Sequence, residues 1–205
     1  MNRRVAVVLV GWALLVPASP VSGGTPEIEV GDNFYSPASV RVAVGGSVHW
    51  FRAPDSTGPH NVREDGRLFW SGPSTDGPID YKVVFSAGSF HYYCSTHGYP
   101  LEVDLEGMEG FVRVPVFLSR FPSGLPFTVR WATAASETGR AYDVQFRVGS
   151  GHWRTWRTDA TNNKGVFGKD AKPVRVRDGV RYSFRARSQD GPNASGWSPV
   201  KSFKL

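Results

Sequence analysis

The strongest constraint on the fold is the way in which turn residues divide the chain into short apolar runs. The sequence has 23 glycines and 15 prolines among 205 residues, and no window shows sustained helical periodicity. The runs between turns alternate apolar with polar residues or are rich in β-branched and aromatic side chains. Examples are 39–44, 47–51, 81–85, 89–94, 110–114, 128–131, 141–148, 173–176 and 180–187. This pattern predicts an all-β protein built from two β-sandwich domains.

The first residues have the pattern of an export signal. Arg3 and Arg4 precede an apolar run, 5–16, which is too short to span a bilayer, and small and turn-forming residues follow to Gly24. We therefore predict a signal peptide over 1–23 and a secreted protein, extracellular or periplasmic in the cell envelope. The alternative is that the segment is retained as an anchor.

Charge is distributed unevenly along the remaining chain. Residues 25–115 contain 6 Lys and Arg against 12 Asp and Glu, whereas 116–205 contain 16 against 6. A reversal of sign on this scale favours two domains, and Pro115, Pro122 and Pro126 mark the change. We predict an N-terminal domain over 24–115, a linker over 116–121 and a C-terminal domain over 122–205.

The residues that can bind a metal lie in the acidic half. A single cysteine excludes an intramolecular disulfide and any cysteine-rich metal site. Cys94 ends a predicted strand, His97 follows three residues later, Met108 precedes the next strand and His60 lies in an upstream loop. A thiolate, two imidazoles and a weak thioether form the donor set of a trigonal copper site used in electron transfer. The alternatives are that Cys94 is an inert buried residue, that His60 is an ordinary loop histidine and that Met108 fills the core.

Residues 33–115 resemble a plastocyanin-like cupredoxin, a blue copper domain. The resemblance is carried by 34–37, 44–50, 59–62, 90–98 and 107–114. It implies a Greek-key sandwich with one type 1 copper ion held by His60, Cys94, His97 and Met108. It also implies that Asn61 holds the copper loop by a hydrogen bond. The ten residues between His97 and Met108 exceed the usual plastocyanin loop, which makes the axial position the point of departure from the family.

Two further histidines and three aromatic residues in this half are expected to have structural roles and not to bind the metal. His91 shares a strand with Cys94 at odd separation and should point to the opposite face. His49 is expected on a sheet face, and Trp50, Tyr92 and Phe111 are expected in the core.

Residues 122–205 resemble a fibronectin type III domain. The resemblance is carried by 128–131, 142–147, 180–187 and 195–199. It implies that Trp131 packs the sandwich and that the Tyr182 hydroxyl bonds to the backbone at a corner. Arg181, Arg185 and Arg187 alternate with apolar residues, which predicts either a solvated sheet face or a cationic surface. Such a surface could bind an anionic cell-surface polymer, lipid head groups, an acidic protein or the acidic first domain of the same chain.

These features favour a secreted one-electron carrier with a transient redox partner protein, and not an enzyme. Two further hypotheses stay open: extracellular copper buffering or delivery, and adhesion or scaffolding through the basic domain. We expect a monomer with no nucleic-acid partner.

Overall fold

The computed structural model describes residues 24–103, 105, 107–120, 126–134, 139–169 and 174–205. The predicted signal peptide, 1–23, lies outside these residues, as do Pro122 at the predicted boundary and two loop carboxylates, Asp104 and Glu106. The described residues form sixteen strands in four sheets, which confirms the all-β prediction. No helix in these ranges is long and apolar enough to cross a membrane.

The first eight strands form two sheets. The strands are β1 Glu27–Gly31, β2 Phe34–Ser36, β3 Ser39–Arg41, β4 Ser47–Arg52, β5 Arg63–Glu64, β6 Asp80–Val84, β7 Gly88–Tyr93 and β8 Glu109–Val114. One sheet has the order β2-β1-β4-β6 and the other β3-β8-β7-β5. The pairs β1–β4 and β3–β8 are parallel, and the others are antiparallel.

Alternation of buried and more exposed side chains along these strands builds the N-terminal core. In β4, Val48 and Trp50 are fully buried, and in β8, Val112 is fully buried while its neighbours are half-buried. Such side chains from both sheets meet in one apolar cluster. The sequence-based expectation that Phe111 lies in this core is wrong. Phe111 has the opposite pleat direction from Val112, so its ring packs outside, 4.9 Å from the ring of His91.

The remaining strands form the C-terminal sandwich. They are β9 Phe117–Arg120, β10 Phe127–Arg130, β11 Ala141–Val148, β12 Arg154–Ala160, β13 Lys164–Phe167, β14 Arg181–Asp190, β15 Asn193–Ala194 and β16 Lys201–Lys204. One sheet has the order β13-β10-β9, and the other β12-β11-β14-β15 with β16 also paired to β14. Between them lies a second apolar core.

Two local predictions are corrected here. The predicted linker 116–121 contains β9, which pairs with β10 because Val116 and Leu118 turn toward the second core. The predicted strand 173–176 has no strand in its described part, 174–176. The adjoining amide of Arg177 instead donates to the Tyr182 hydroxyl at 3.0 Å, the corner bond expected of Tyr182.

The two sandwiches share main-chain hydrogen bonds. Ser89 and Gly196 exchange N–H···O bonds of 3.0 and 2.9 Å, and the amide of Ala87 donates to the carbonyl of Trp131 at 2.7 Å. These contacts lie at the start of β7, whereas Cys94 directly follows its end, roughly 17 Å further along at the usual rise per residue. The C-terminal sandwich therefore contacts the end of β7 remote from Cys94.

Candidate metal centre

Two chain segments bring three candidate ligands to one end of the N-terminal sandwich. Cys94 directly follows β7, and its carbonyl accepts hydrogen bonds from the amides of His97 at 3.3 Å and Gly98 at 2.8 Å. These bonds close a tight turn that directs His97 back toward Cys94. His60 lies between β4 and β5, where it exchanges two 3.0 Å backbone bonds with Thr75.

The donor atoms of His60, Cys94 and His97 form a compact triangle. The Cys94 Sγ lies 3.9 Å from the His60 Nδ1 and 3.7 Å from the His97 Nδ1, and the two nitrogens are 3.2 Å apart. Donors bonded at about 2.0–2.3 Å to one ion in a trigonal plane are separated by roughly 3.5–4 Å. The two sulfur–nitrogen separations fall in this range and the nitrogen–nitrogen separation is slightly shorter, so the triangle is close to the size that holds a single metal ion.

The residues of this triangle are largely buried. Cys94 is fully buried and His60 is 1% exposed, whereas His97 is half-buried. The set combines one soft thiol with two imidazoles, which suits copper in both common oxidation states.

Met108 is joined to the same region through its backbone. Its amide donates to the carbonyl of His97 at 2.9 Å, and its carbonyl accepts from the amide of Cys94 at 3.0 Å. The side chain is 1% exposed and belongs to the same apolar cluster as Cys94. Met108 thus lies beside both loop ligands, in the part of the core that adjoins the donor triangle.

Asn61 connects the two ligand segments. Its Oδ1 accepts from the amide of Ser95 at 2.8 Å, while its Nδ2 donates to Ser95 Oγ at 3.1 Å and to the Gly72 carbonyl at 2.8 Å. The hydrogen bond expected of Asn61 is therefore present. It fixes the segment of His60 against the segment of Cys94.

Asp32 is a site residue that sequence reasoning missed. Its Oδ1 lies 3.0 Å from the His60 Nε2, on the ring edge opposite the donor triangle. The hydrogen bond with His60, followed by those from Gly58, Thr57 and Ser56, holds the pKa of Asp32 well below its usual range. The only sequence signal is a Gly-Asp-Asn turn between β1 and β2, and a turn of this kind does not reveal its distant contact.

His91 and His49 lie outside the donor triangle. His91 is buried on the opposite face of β7, with ring nitrogens 2.8 Å from an Asp65 oxygen and 3.1 Å from a Glu109 oxygen. His49 lies on a sheet face beside Glu27 and Asp80. Both placements agree with the sequence analysis.

The loop that follows His97 exposes large apolar side chains beside the exposed Glu102. Tyr99, Leu101 and Leu105 follow His97 in the chain and are 40%, 61% and 56% exposed. A cleft of about 190 Å³ reaches both His60 and His97 from the side of Asp32. The half-buried imidazole of His97 is therefore the part of the triangle nearest to solvent.

Comparison with known proteins gives partial matches. No family model matches the chain. Plastocyanin from Prochlorothrix hollandica is 29% identical over 106 residues, which span 44% of this chain and 78% of the relative. A reduced amicyanin mutant is 23% identical over 46% of this chain and 85% of its own, with a TM-score of 0.35. A purple cupredoxin from Nitrosopumilus maritimus is 28% identical over 43% of this chain and 98% of its own, with a TM-score of 0.33. The sequence similarity to plastocyanin supports a cupredoxin domain that occupies less than half of the chain.

Proposed function

We propose that the protein binds one copper ion through His60, Cys94 and His97, with Met108 as a weak axial ligand, and carries one electron at a time. The observation that carries the proposal is the convergence of two imidazole Nδ1 atoms on a buried thiol at 3.7–3.9 Å. Copper in such a donor set supplies one-electron redox chemistry. The similarity to plastocyanin supports the same assignment.

The protein contributes a rigid set of donors. The thiol follows a buried strand, Asn61 links the two ligand segments, and Asp32 holds the far edge of the His60 ring. Because these bonds fix the donors in advance, little structural rearrangement accompanies a change of oxidation state. An electron carrier needs this property, and it does not need a substrate pocket.

The route for electrons is the half-buried edge of His97. The exposed apolar side chains of Tyr99, Leu101 and Leu105 lie in the adjoining loop and offer a contact surface for a redox partner protein. A transient electron-transfer complex buries a small area, typically below about 1,200 Å². We propose that the partner docks here. Leu101 also lines a cleft together with Arg187 and Ala194, so the C-terminal sandwich borders this surface.

The rest of the chain has a supporting role in this proposal. Residues 1–23 direct secretion, and the C-terminal sandwich is a fibronectin type III module without redox chemistry. Its exposed cations, Arg175, Arg177 and Arg181, can attract an anionic surface polymer. Arg185 and Arg187 contribute less to such a surface, since both are half-buried beside the ring of Trp197.

Copper delivery is a second candidate, favoured by the cleft that reaches His60 and His97. An acceptor could approach the ion through this opening. The rate of Cu(I) transfer to a chelator is compared with the rate of electron exchange with a redox dye. Faster copper transfer would favour delivery as the function.

A redox titration tests the main proposal. The secreted protein loaded with one equivalent of Cu(II) is reduced and reoxidised with inorganic dyes of graded potential. An electron carrier takes up one electron per chain reversibly, keeps its copper in both states and regains its full absorption. Loss of copper on reduction, or irreversible reduction, would exclude this function.

A further inference from the structure

The Asp32 carboxylate is the centre of a hydrogen-bonded turn beneath His60. Besides the His60 Nε2 at 3.0 Å, it accepts from the Thr57 amide at 2.9 Å, the Thr57 hydroxyl at 2.9 Å, the Gly58 amide at 3.2 Å and the Ser56 hydroxyl at 2.9 Å. Every one of these partners lies within the loop that carries His60. One carboxylate thus fixes both the loop and the ring.

The partners of Asp32 dictate which nitrogen of His60 carries the proton. An ionised carboxylate can only accept hydrogen bonds, so the 3.0 Å contact requires a proton on Nε2. The neutral ring then has its lone pair on Nδ1, which is the atom 3.9 Å from the Cys94 Sγ and 3.2 Å from the His97 Nδ1. Without Asp32, the ring could carry its proton on Nδ1 and present no lone pair to the triangle.

We propose that Asp32 is a positioning residue of the metal centre, which sets the tautomer and orientation of His60 and strengthens Nδ1 as a donor. The inference rests on the proposed copper site. A carboxylate that accepts from the remote N–H of a ligating imidazole increases the basicity of the ligating nitrogen. A stronger donor and a nearby negative charge favour Cu(II) over Cu(I), so Asp32 should lower the reduction potential.

The first test uses the metal-free protein and needs no variant. In protein labelled with ¹⁵N at histidine and kept at alkaline pH, the ring nitrogen shifts and couplings identify the protonated nitrogen. We expect His60 to carry its proton on Nε2, and a proton on Nδ1 would overturn the proposal. Because this readout involves no copper, it separates the inference from the proposed function.

The second test compares substitutions in the copper-loaded full chain. Asp32→Asn removes the charge with little change of volume, and Asp55→Asn removes one charge from an exposed position nearby in the same loop. Thr57→Val removes one hydroxyl that holds the loop to Asp32 but leaves the contact with His60. We expect Asp32→Asn to raise the potential and weaken Cu(II) binding roughly 10- to 100-fold, with Cu(I) binding less affected. Asp55→Asn and Thr57→Val should retain the wild-type potential within a small fraction of that shift.

The outcomes distinguish positioning from mere loop support. Equal shifts in Asp32→Asn and Thr57→Val would mean that Asp32 only stabilises the loop, and equal shifts in Asp32→Asn and Asp55→Asn would reduce its role to general charge. Either result overturns the proposal. If Asp32→Asn fails to fold, Asp32→Glu provides the comparison, since it retains the charge and should retain most of the lowered potential. A wild-type protein without a copper–thiolate band would instead refute the proposed function.

Discussion

The amide of Met108 donates to the carbonyl of His97 at 2.9 Å, so the loop between two proposed ligands begins and ends at one hydrogen bond. The ten intervening residues extend from this closed stem. Their number therefore need not disturb the spacing of the ligands, which explains how a long loop is compatible with a compact centre. The Cys94 amide bond to the Met108 carbonyl at 3.0 Å reinforces the same stem.

The stem makes Gly107 sensitive to substitution. A Cβ at Gly107 would lie 2.8 Å from the Cα of Gly98 and 2.9 Å from the carbonyl oxygen of His97. Because these are backbone atoms, Gly107→Ala should cost about 1–3 kcal/mol of unfolding free energy and shift the copper spectrum. Urea titration and absorption measure both effects. Gly77→Ala is the matched control, since its new Cβ would first meet the Thr75 hydroxyl at 3.2 Å; equal effects in both variants would contradict the account.

Glu64 should make stability depend on pH. Burial raises the pKa of Glu64 from 4.5 to about 7; the Leu68 amide opposes this shift, Asp65 adds to it and Arg140 opposes it. The folded state therefore binds more protons than the unfolded state between pH 4.5 and 7, and unfolding free energy falls as pH rises through this range. The loss amounts to about 3 kcal/mol at most.

Glu64→Gln isolates this contribution. In the wild type, the Leu68 backbone N–H donates to the Glu64 Oε2 at 2.9 Å. The side-chain oxygen of the glutamine can still accept this bond, but the glutamine does not titrate. Urea titrations of metal-free protein at pH 5 and pH 8 should show a larger decrease for the wild type than for Glu64→Gln. Parallel decreases would show that Glu64 does not titrate in this window.

Contact between the sandwiches should contribute to stability through two buried serines. The hydroxyls of Ser86 and Ser188 lie 2.5 Å apart, and the Ser188 hydroxyl also donates to the Ala87 carbonyl at 3.3 Å. Ser188→Ala should cost about 1–3 kcal/mol because it leaves buried partners unpaired. In a double-mutant cycle, Ser86→Ala combined with Ser188→Ala should cost less than the sum of the two single changes. Additive costs would mean that the two hydroxyls do not interact.

Arg185 should stabilise the C-terminal sheet by stacking. Its guanidinium carbon lies 4.4 Å from the ring centroid of Trp153 and 4.6 Å from that of Trp197, and the group donates to Gln145 at 2.7 and 2.9 Å. Arg185→Ala should lower the unfolding free energy by about 1–2 kcal/mol. Arg181→Ala, at an exposed position of the same strand, should change it by less than about 0.5 kcal/mol. Thermal unfolding of both variants measures the difference, and equal losses would argue against stacking as its source.

The sequence predicts the candidate ligands better than it predicts the residues that hold those ligands in place. Cys94, His97 and Met108 lie near strand ends that alternation defines, and the structure brings the first two together with His60. Asp32 could not be predicted, because its role depends on a contact 28 residues along the chain. Sequence patterns show local spacing. They do not show that the turn between β1 and β2 faces the loop that carries His60.

The difference between local pattern and distant contact also explains where the fold departs from the sequence-based prediction. The sequence does not predict strand β13, Lys164–Phe167, because this segment lacks an alternating apolar run. The strand forms through pairing with β10. The flanking prolines favour a linker at strand β9, although Val116 and Leu118 face the second core. In both cases, tertiary packing decides the structure of a segment with weak local preference.

Visible absorption during Cu(II) titration tests the central claim most directly. The purified protein is compared with Cys94→Ser, since only a copper–thiolate bond gives an intense charge-transfer band. The account predicts a band that saturates at one equivalent of copper and is absent from Cys94→Ser. A colourless protein, or the weak spectrum of ordinary tetragonal Cu(II) in both proteins, would contradict it.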